Sequence, residues 1–112
     1  MKDKKLQNAI GYTRTATDVQ DSVFSSIEKQ EQLIKDFCKK NKIILIGVLF
    51  DPAQSGNDIN RPGLNILYFL TARKQIDVVI CSSADRLSRD TAAFLDIKNL
   101  LNNNGIELKF IY

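Results

Sequence analysis

The order of strand-like and helix-like segments predicts a three-layer α/β/α domain around a central, mostly parallel sheet of about four strands. Short apolar runs recur at residues 43–50 and 76–81, each too brief for a helix of ordinary length. Between the runs the apolar residues return at helical spacing. Polar, turn-forming residues separate the two patterns, as at 51–60 and at Asn104-Gly105.

Each element follows from local chemistry. Residues 1–7 are lysine-rich and are expected to fray. Residues 8–14 read as a short, central first strand. Its alternation puts Tyr12, Arg14 and Ala16 on one face and Thr13, Thr15 and Thr17 on the other. A polar stretch leads to a first helix, capped by Ser25 or Ser26 and running to about Lys40. Its apolar stripe is Ile27, Leu33, Ile34 and Phe37. Residues 43–50 form a second strand, expected to be buried on both faces as parallel strands usually are. After a turn-rich loop, Pro62 at a first-turn position opens a second helix, with Leu64, Leu67, Tyr68 and Leu70 as its buried stripe. Residues 77–81 give a third strand and 91–103 a third helix, with Phe94, Leu95, Ile97, Leu100 and Leu101 apolar. Residues 106–112 alternate as a fourth strand.

Composition narrows the function. At 112 residues the chain is one domain with a modest core, and its net charge of +3 permits a nucleic-acid partner without demanding one. No apolar run approaches the length needed to cross a bilayer, and the start does not resemble a secretory signal, so the cytoplasm is the expected location. Cys38 and Cys81 stand alone and read as small core residues. Histidine is absent, which removes the usual general base and the commonest metal ligand. Any chemistry must therefore run on carboxylates, hydroxyls and arginines, with no metal or cofactor expected.

Three loops leave the same edge of a parallel sheet, the edge where ligands bind in open α/β folds. They carry Tyr12 and Arg14, then Asp51, Ser55 and Arg61, then Asp85, Arg86 and Arg89. Arg86 and Arg89, three apart, aim at one point if the chain between them turns helically. A guanidinium fork suits a phosphodiester. The alternative is that these arginines are solvated or paired with Asp85 and Asp90.

These segments resemble the serine recombinases: resolvases, invertases and large serine integrases. Tyr12-Thr13-Arg14-Thr15-Ala16-Thr17 is similar to the family's Tyr-x-Arg-Val-Ser-Thr, and Gln20 falls where that motif has glutamine. Ser26-Ile27-Glu28-Lys29-Gln30 resembles the opening of its first helix. Asp51, Ser55-Gly56 and Arg61-Pro62 resemble its Asp…Ser-Gly…Arg-Pro, and Asp85-Arg86-Leu87-Ser88-Arg89 its Asp-Arg-Leu-x-Arg signature. The resemblance spans nearly the whole chain. It implies a resolvase-like fold and metal-free cleavage of a DNA strand by a serine hydroxyl, through a 5′-phosphoserine link and a free 3′-OH. It further implies strand exchange within a tetramer. Arg14, Arg61, Arg86 and Arg89 would hold the phosphate, and Asp85 would carry a proton or orient an arginine. Tyr12 and Gln20 would support them. Tyr12 reads equally well as a packing residue of its strand.

One position departs. The family's nucleophile falls on Ala16, whose methyl group cannot attack phosphorus. Thr15 and Thr17 are poor substitutes, because a regular strand turns both away from Arg14, although a turn just after the strand could redirect Thr17. The chain as written is therefore expected to be inactive in cleavage. The alternative function is a non-enzymatic resolvase-like module acting as an interaction partner or scaffold. Family members also continue into a dimerisation helix and a DNA-reading domain, so sequence-specific affinity and family-type dimers or tetramers are expected to be weak for residues 1–112 alone. A phospho-accepting receiver would need an acidic pair after the first strand, where this chain has Tyr12-Thr13-Arg14. A metal-dependent nuclease would need clustered carboxylates, but Asp51, Asp58 and Asp85 are interleaved with arginine.

Overall fold

A computed structural model describes residues 6–14, 27–51, 61–88 and 90–112. Four parallel strands, β1 (Asn8–Arg14), β2 (Ile44–Asp51), β3 (Val78–Cys81) and β4 (Glu107–Phe110), form one sheet in the order β2-β1-β3-β4. The helices are α1 (Ile27–Lys40), α2 (Pro62–Ala72), the single turn α3 (Ala84–Leu87) and α4 (Thr91–Asn103). The expected three layers are present. Ile34 and Cys38 of α1 pack on Ala9, Val78 and Ile80 on one face of the sheet. On the other face Leu64 and Leu67 of α2 and Ile97 and Leu101 of α4 close over Ile10, Tyr12 and Val79. Alternation along β1 thus sends odd residues towards α1 and even residues, Tyr12 among them, towards α2. Gly11 lies where a Cβ would meet Ile34 at 3.1 Å, so its lack of a side chain lets α1 approach the sheet.

Four local expectations need correction. β2 is an edge strand, not one buried on both faces: Ile44, Ile46 and Phe50 are exposed, and the β1–β2 register shifts between Ala9 and Ile10. In α1 the polar Gln30 is buried, whereas Leu33 and Phe37 are only partly covered. In α4, Leu95 and Leu100 face outward. The short helix α3 replaces the simple loop expected after β3. It closes through the Arg86 N–H to Ser83 carbonyl bond (3.1 Å) and ends at Ser88, whose backbone is extended. Asp90 then caps α4 by accepting from the Ala93 N–H at 2.9 Å. Arg89 lies outside the described residues, so only Arg86 of that pair is placed, on the α3 turn beside the end of β1.

Both cysteines are buried and free, as expected for core residues. Burial pushes the Cys81 thiol up from 9.0 to about 12, with Arg61 pulling weakly the other way. Burial, then the bond to Asp51, lifts the Tyr12 phenol above its ordinary 10.0, against the lowering effect of Arg61. Both groups keep their protons in the fold and lose them more easily when unfolded. Their contribution is intact below pH 9 and is lost as pH climbs above it, by up to about 1.4 kcal/mol per pH unit per group. Urea midpoints are expected to hold from pH 7 to 9 and fall from pH 9 to 11, with Cys81→Ala flattening the first part of the fall. A midpoint constant to pH 11 would contradict this.

Candidate active site

The carboxyl ends of β1, β2 and β3 present Arg14, Asp51 and, through the turn of α3, Asp85 and Arg86. Two linked layers of contacts organise this edge. The deeper layer centres on Tyr12, which is fully buried. Its hydroxyl donates to Asp51 Oδ2 at 2.6 Å and accepts from Arg61 Nη2 at 2.7 Å and Nε at 3.2 Å. The Arg61 guanidinium also lies 5.4 Å from the Tyr12 ring centroid, within cation–π range, and donates to the Leu87 carbonyl. Its direct approach to Asp51 is longer, 3.9 Å, so the charge pair is coupled mainly through the phenol. Tyr12 is thus both a packing residue and a hydrogen-bonding bridge.

Asp51 has a second task. Arg61, the N-cap residue of α2, supplies no side-chain cap. Asp51 reaches across from β2 instead, Oδ1 accepting from the Gly63 N–H at 2.6 Å and Oδ2 from the Leu64 N–H at 3.0 Å. A carboxylate there satisfies orphan donors and suits the positive end of the helix. Gly63 permits the approach, because a Cβ would stand 2.9 Å from the Phe50 carbonyl oxygen and 3.0 Å from Asp51 Oδ1.

The outer layer joins Arg14 and Arg86. Arg14 Nε donates to the Arg86 carbonyl at 3.1 Å and Nη2 to the Asp85 carbonyl at 2.9 Å. In return, Arg86 Nη1 donates to the Arg14 carbonyl at 3.1 Å. Each arginine holds the other's backbone, so the end of β1 and the α3 turn are clasped together. Arg14 is buried, whereas Arg86 is partly exposed and makes no ion pair among the described residues. Asp85 Oδ1 accepts from the Ser83 hydroxyl at 2.5 Å.

Of the residues singled out from sequence, Tyr12, Arg14, Arg61, Asp85 and Arg86 meet at this edge, together with Asp51. Ala16, Gln20 and Arg89 lie outside the described residues, as do Thr15, Thr17 and Ser55. Sequence reasoning gave no role to Gln30, which is buried on α1. Its Oε1 accepts from the Arg14 N–H at 3.2 Å and its Nε2 donates to the Arg14 carbonyl at 2.9 Å, extending β1 by a side-chain pairing. A glutamine on the sheet-facing stripe, a turn before Ile34, was the available signal. Gln30→Ala is expected to cost about 2 kcal/mol, since it strips the buried Arg14 N–H of its acceptor. Urea titration measures this, and a loss below about 0.5 kcal/mol would contradict it.

Residues 9–112 match the family described as the resolvase N-terminal domain. The chain belongs to the resolvase family of serine recombinases. This resolvase-family chain is 30% identical over 102 residues to the transposon Tn3 resolvase of Escherichia coli, and equally to that of Klebsiella pneumoniae. The aligned part is 90% of this chain and 48% of each relative, so the chain spans about half the length of the curated relatives it matches. Among solved structures it is similar to the C-terminal catalytic domain of ISC1926 TnpA, an IS607-like serine recombinase, with a TM-score of 0.80 and 26% identity over 94% of this chain and 67% of that one. The N-terminal catalytic domain of TP901-1 integrase shares the fold at a TM-score of 0.81 and 24% identity, covering 94% and 77%. No helix among the described residues is long and apolar enough to cross a membrane.

Proposed function

We propose that this resolvase-family domain is the catalytic domain of a longer site-specific DNA recombinase, and that its sheet edge holds a DNA phosphodiester. The observation that carries the reading is Arg86. Its guanidinium is partly buried, touches the Arg14 carbonyl and has no carboxylate partner among the described residues. A neutral carbonyl leaves the cation's charge uncancelled, and a phosphate oxygen is the complement that charge and fork geometry favour. Arg14 fixes the turn that carries Arg86. Arg61 acts from behind, holding Tyr12 and the Leu87 carbonyl, rather than reaching the phosphate itself. Arg89 and Gln20 would complete the cradle, with Asp85 orienting an arginine or carrying a proton.

In this reading the domain binds DNA in the cytoplasm and forms the family's dimers and tetramers in a longer chain. Strand cleavage would use a serine hydroxyl and no metal, with arginines stabilising charge on the pentacoordinate phosphate. Ala16 stands at the nucleophile's place in the motif, so the chain as written holds DNA without joining to it. As a non-cleaving member it would serve as a partner or scaffold.

Titration with a short DNA duplex, followed through arginine Nε–H resonances, tests the site. The Arg86 signal is expected to shift, and Arg86→Ala to weaken binding at 50 mM salt while leaving the fold intact. Unmoved Arg14 and Arg86 signals at saturating duplex would reject it.

A further inference from the structure

The opposite pole of the sheet carries a second cluster of cations that the candidate active site does not use. The bonds from Ile44 N–H to the Gln7 carbonyl (2.9 Å), Asp77 N–H to the Asn8 carbonyl (2.8 Å) and Glu107 N–H to the Asp77 carbonyl (3.0 Å) bring the amino ends of all four strands into one edge. The α1, α2 and α4 helices end beside it. Lys39 and Lys40 occupy the last turn of α1 and Lys42 follows it; Arg73 is the C-cap of α2 and Lys74 follows. Because α1 and α2 lie on opposite faces of the sheet, these five cations flank the edge from both sides.

Two observations mark the cluster as more than a solvated surface. First, Lys42 and Lys74 have φ of 57° and 56°, the left-handed region where glycine is the usual residue. After α4 the same role falls to Gly105, with φ of 73°, so the fold accepts glycine there. Lysine at the two equivalent places carries strain that a helix stop alone does not require. Second, none of the five has an ion-pair partner among the described residues. Arg73 lies over the Phe69 ring at 5.3 Å. Of the nearby carboxylates, Glu107 pairs with Lys109 at 3.1 Å, whereas Asp77 accepts only the neutral Asn8 N–H at 2.8 Å among the described residues and so sets one negative charge against the five cations.

We infer that this pole is a second, sequence-independent contact for the DNA backbone, separate from the candidate active site. Four of the five cations are lysines, a residue depleted from protein interfaces but suited to phosphate as a point charge. The choice of DNA among polyanions rests on the proposed function; the cluster itself does not. Such a contact would let one domain touch a second duplex, or a second stretch of the same one, while the active edge is occupied.

The test is the salt dependence of duplex binding by the 112-residue chain, measured by fluorescence anisotropy. Lys42→Gly with Lys74→Gly removes two charges at positions where glycine relieves strain, so its melting temperature should be unchanged or higher. The slope of log K against log salt is expected to become shallower by about 1.8, and the affinity lost between 50 and 200 mM salt to shrink about tenfold. Lys39→Gln with Lys40→Gln, on exposed helix surface, should act in the same direction with the backbone untouched. The effect should persist in an Arg86→Ala background, because Arg86 lies at the other end of the strands. Unchanged slopes in both lysine pairs would overturn the inference, as would loss of their effect in the Arg86→Ala background. Tighter binding of polyglutamate than of the duplex would overturn the choice of DNA. Failure of Arg86→Ala alone to weaken binding would count against the active-site reading and leave the pole intact.

Discussion

Asp51→Ala is expected to remove about 3–5 kcal/mol of folding stability, a large part of what a domain of this size possesses. The carboxylate is fully buried and accepts from three donors: the Tyr12 hydroxyl and the Gly63 and Leu64 N–H groups. Truncation strands all three. It also leaves the buried Arg61 cation without its only carboxylate among the described residues, since that charge is balanced through the Tyr12 phenol. Losing a helix cap alone costs about 1 kcal/mol, so most of the effect belongs to the uncompensated charge. Asp51→Asn keeps one acceptor oxygen and should fall between wild type and alanine. Chemical denaturation with a shared m-value measures both, and a loss under 1 kcal/mol for alanine would show that Arg61 is not held as described.

The same residue shows where reading the sequence stops. Apart from the single turn α3, the order of strands and helices was legible because burial imposes period two or 3.6 on the chain, and each period is local. Even Pro62 marked the start of α2 correctly. Burial at the sheet's edge was not legible. The run from Ile44 to Phe50 is as apolar as a central strand, and only the strand order, a property of the whole chain, leaves Ile44, Ile46 and Phe50 exposed. Asp51 as the cap of α2 spans 12 positions to Gly63, so no capping motif announces it. The hint was negative: Arg61 is a poor cap, and Gly63 in the first turn leaves room for something to approach. Gln30 was missed because a polar side chain on a helix is ordinarily counted with its solvent face.

The arginines were legible as a set but not by role. Motif spacing placed Arg14, Arg61 and Arg86 at one edge, and the structure brings them there. It also separates them. Arg61 is buried behind Tyr12, Arg14 is buried against the backbone of Asp85 and Arg86, and Arg86 alone of the three is partly exposed. Sequence could not rank them, because exposure depends on how α3 folds back over β1. Correspondingly, charge-retaining substitutions should separate them too. Lysine keeps the charge but not the fork, and Arg14 uses two fork positions to grip two carbonyls.

On the proposed function, Ala16→Ser in a chain extended to the family's full length is expected to give a covalent adduct with DNA where the alanine chain is expected to give none. The serine hydroxyl would give up its proton and attack phosphorus, the P–O3′ bond would break with the 3′ oxygen taking the electron pair and a proton, and the 5′ phosphate would remain esterified to the protein. Nothing in alanine can begin this step, so the change is from none to some. Adding Arg86→Ala should then lower adduct formation about 10²–10³-fold, the scale of losing one preorganised charge stabiliser at a reacting oxyanion. Denaturing electrophoresis of labelled, nicked duplex reads both effects as a shifted band. An adduct formed with Ala16 intact would mean that another hydroxyl, such as Thr17, serves as nucleophile. An equal adduct in the double variant would remove Arg86 from the chemistry. Arg14 and Arg86 hold each other through the backbone bonds of the clasp, so the position of Arg86 is expected to be the same with alanine or serine at position 16.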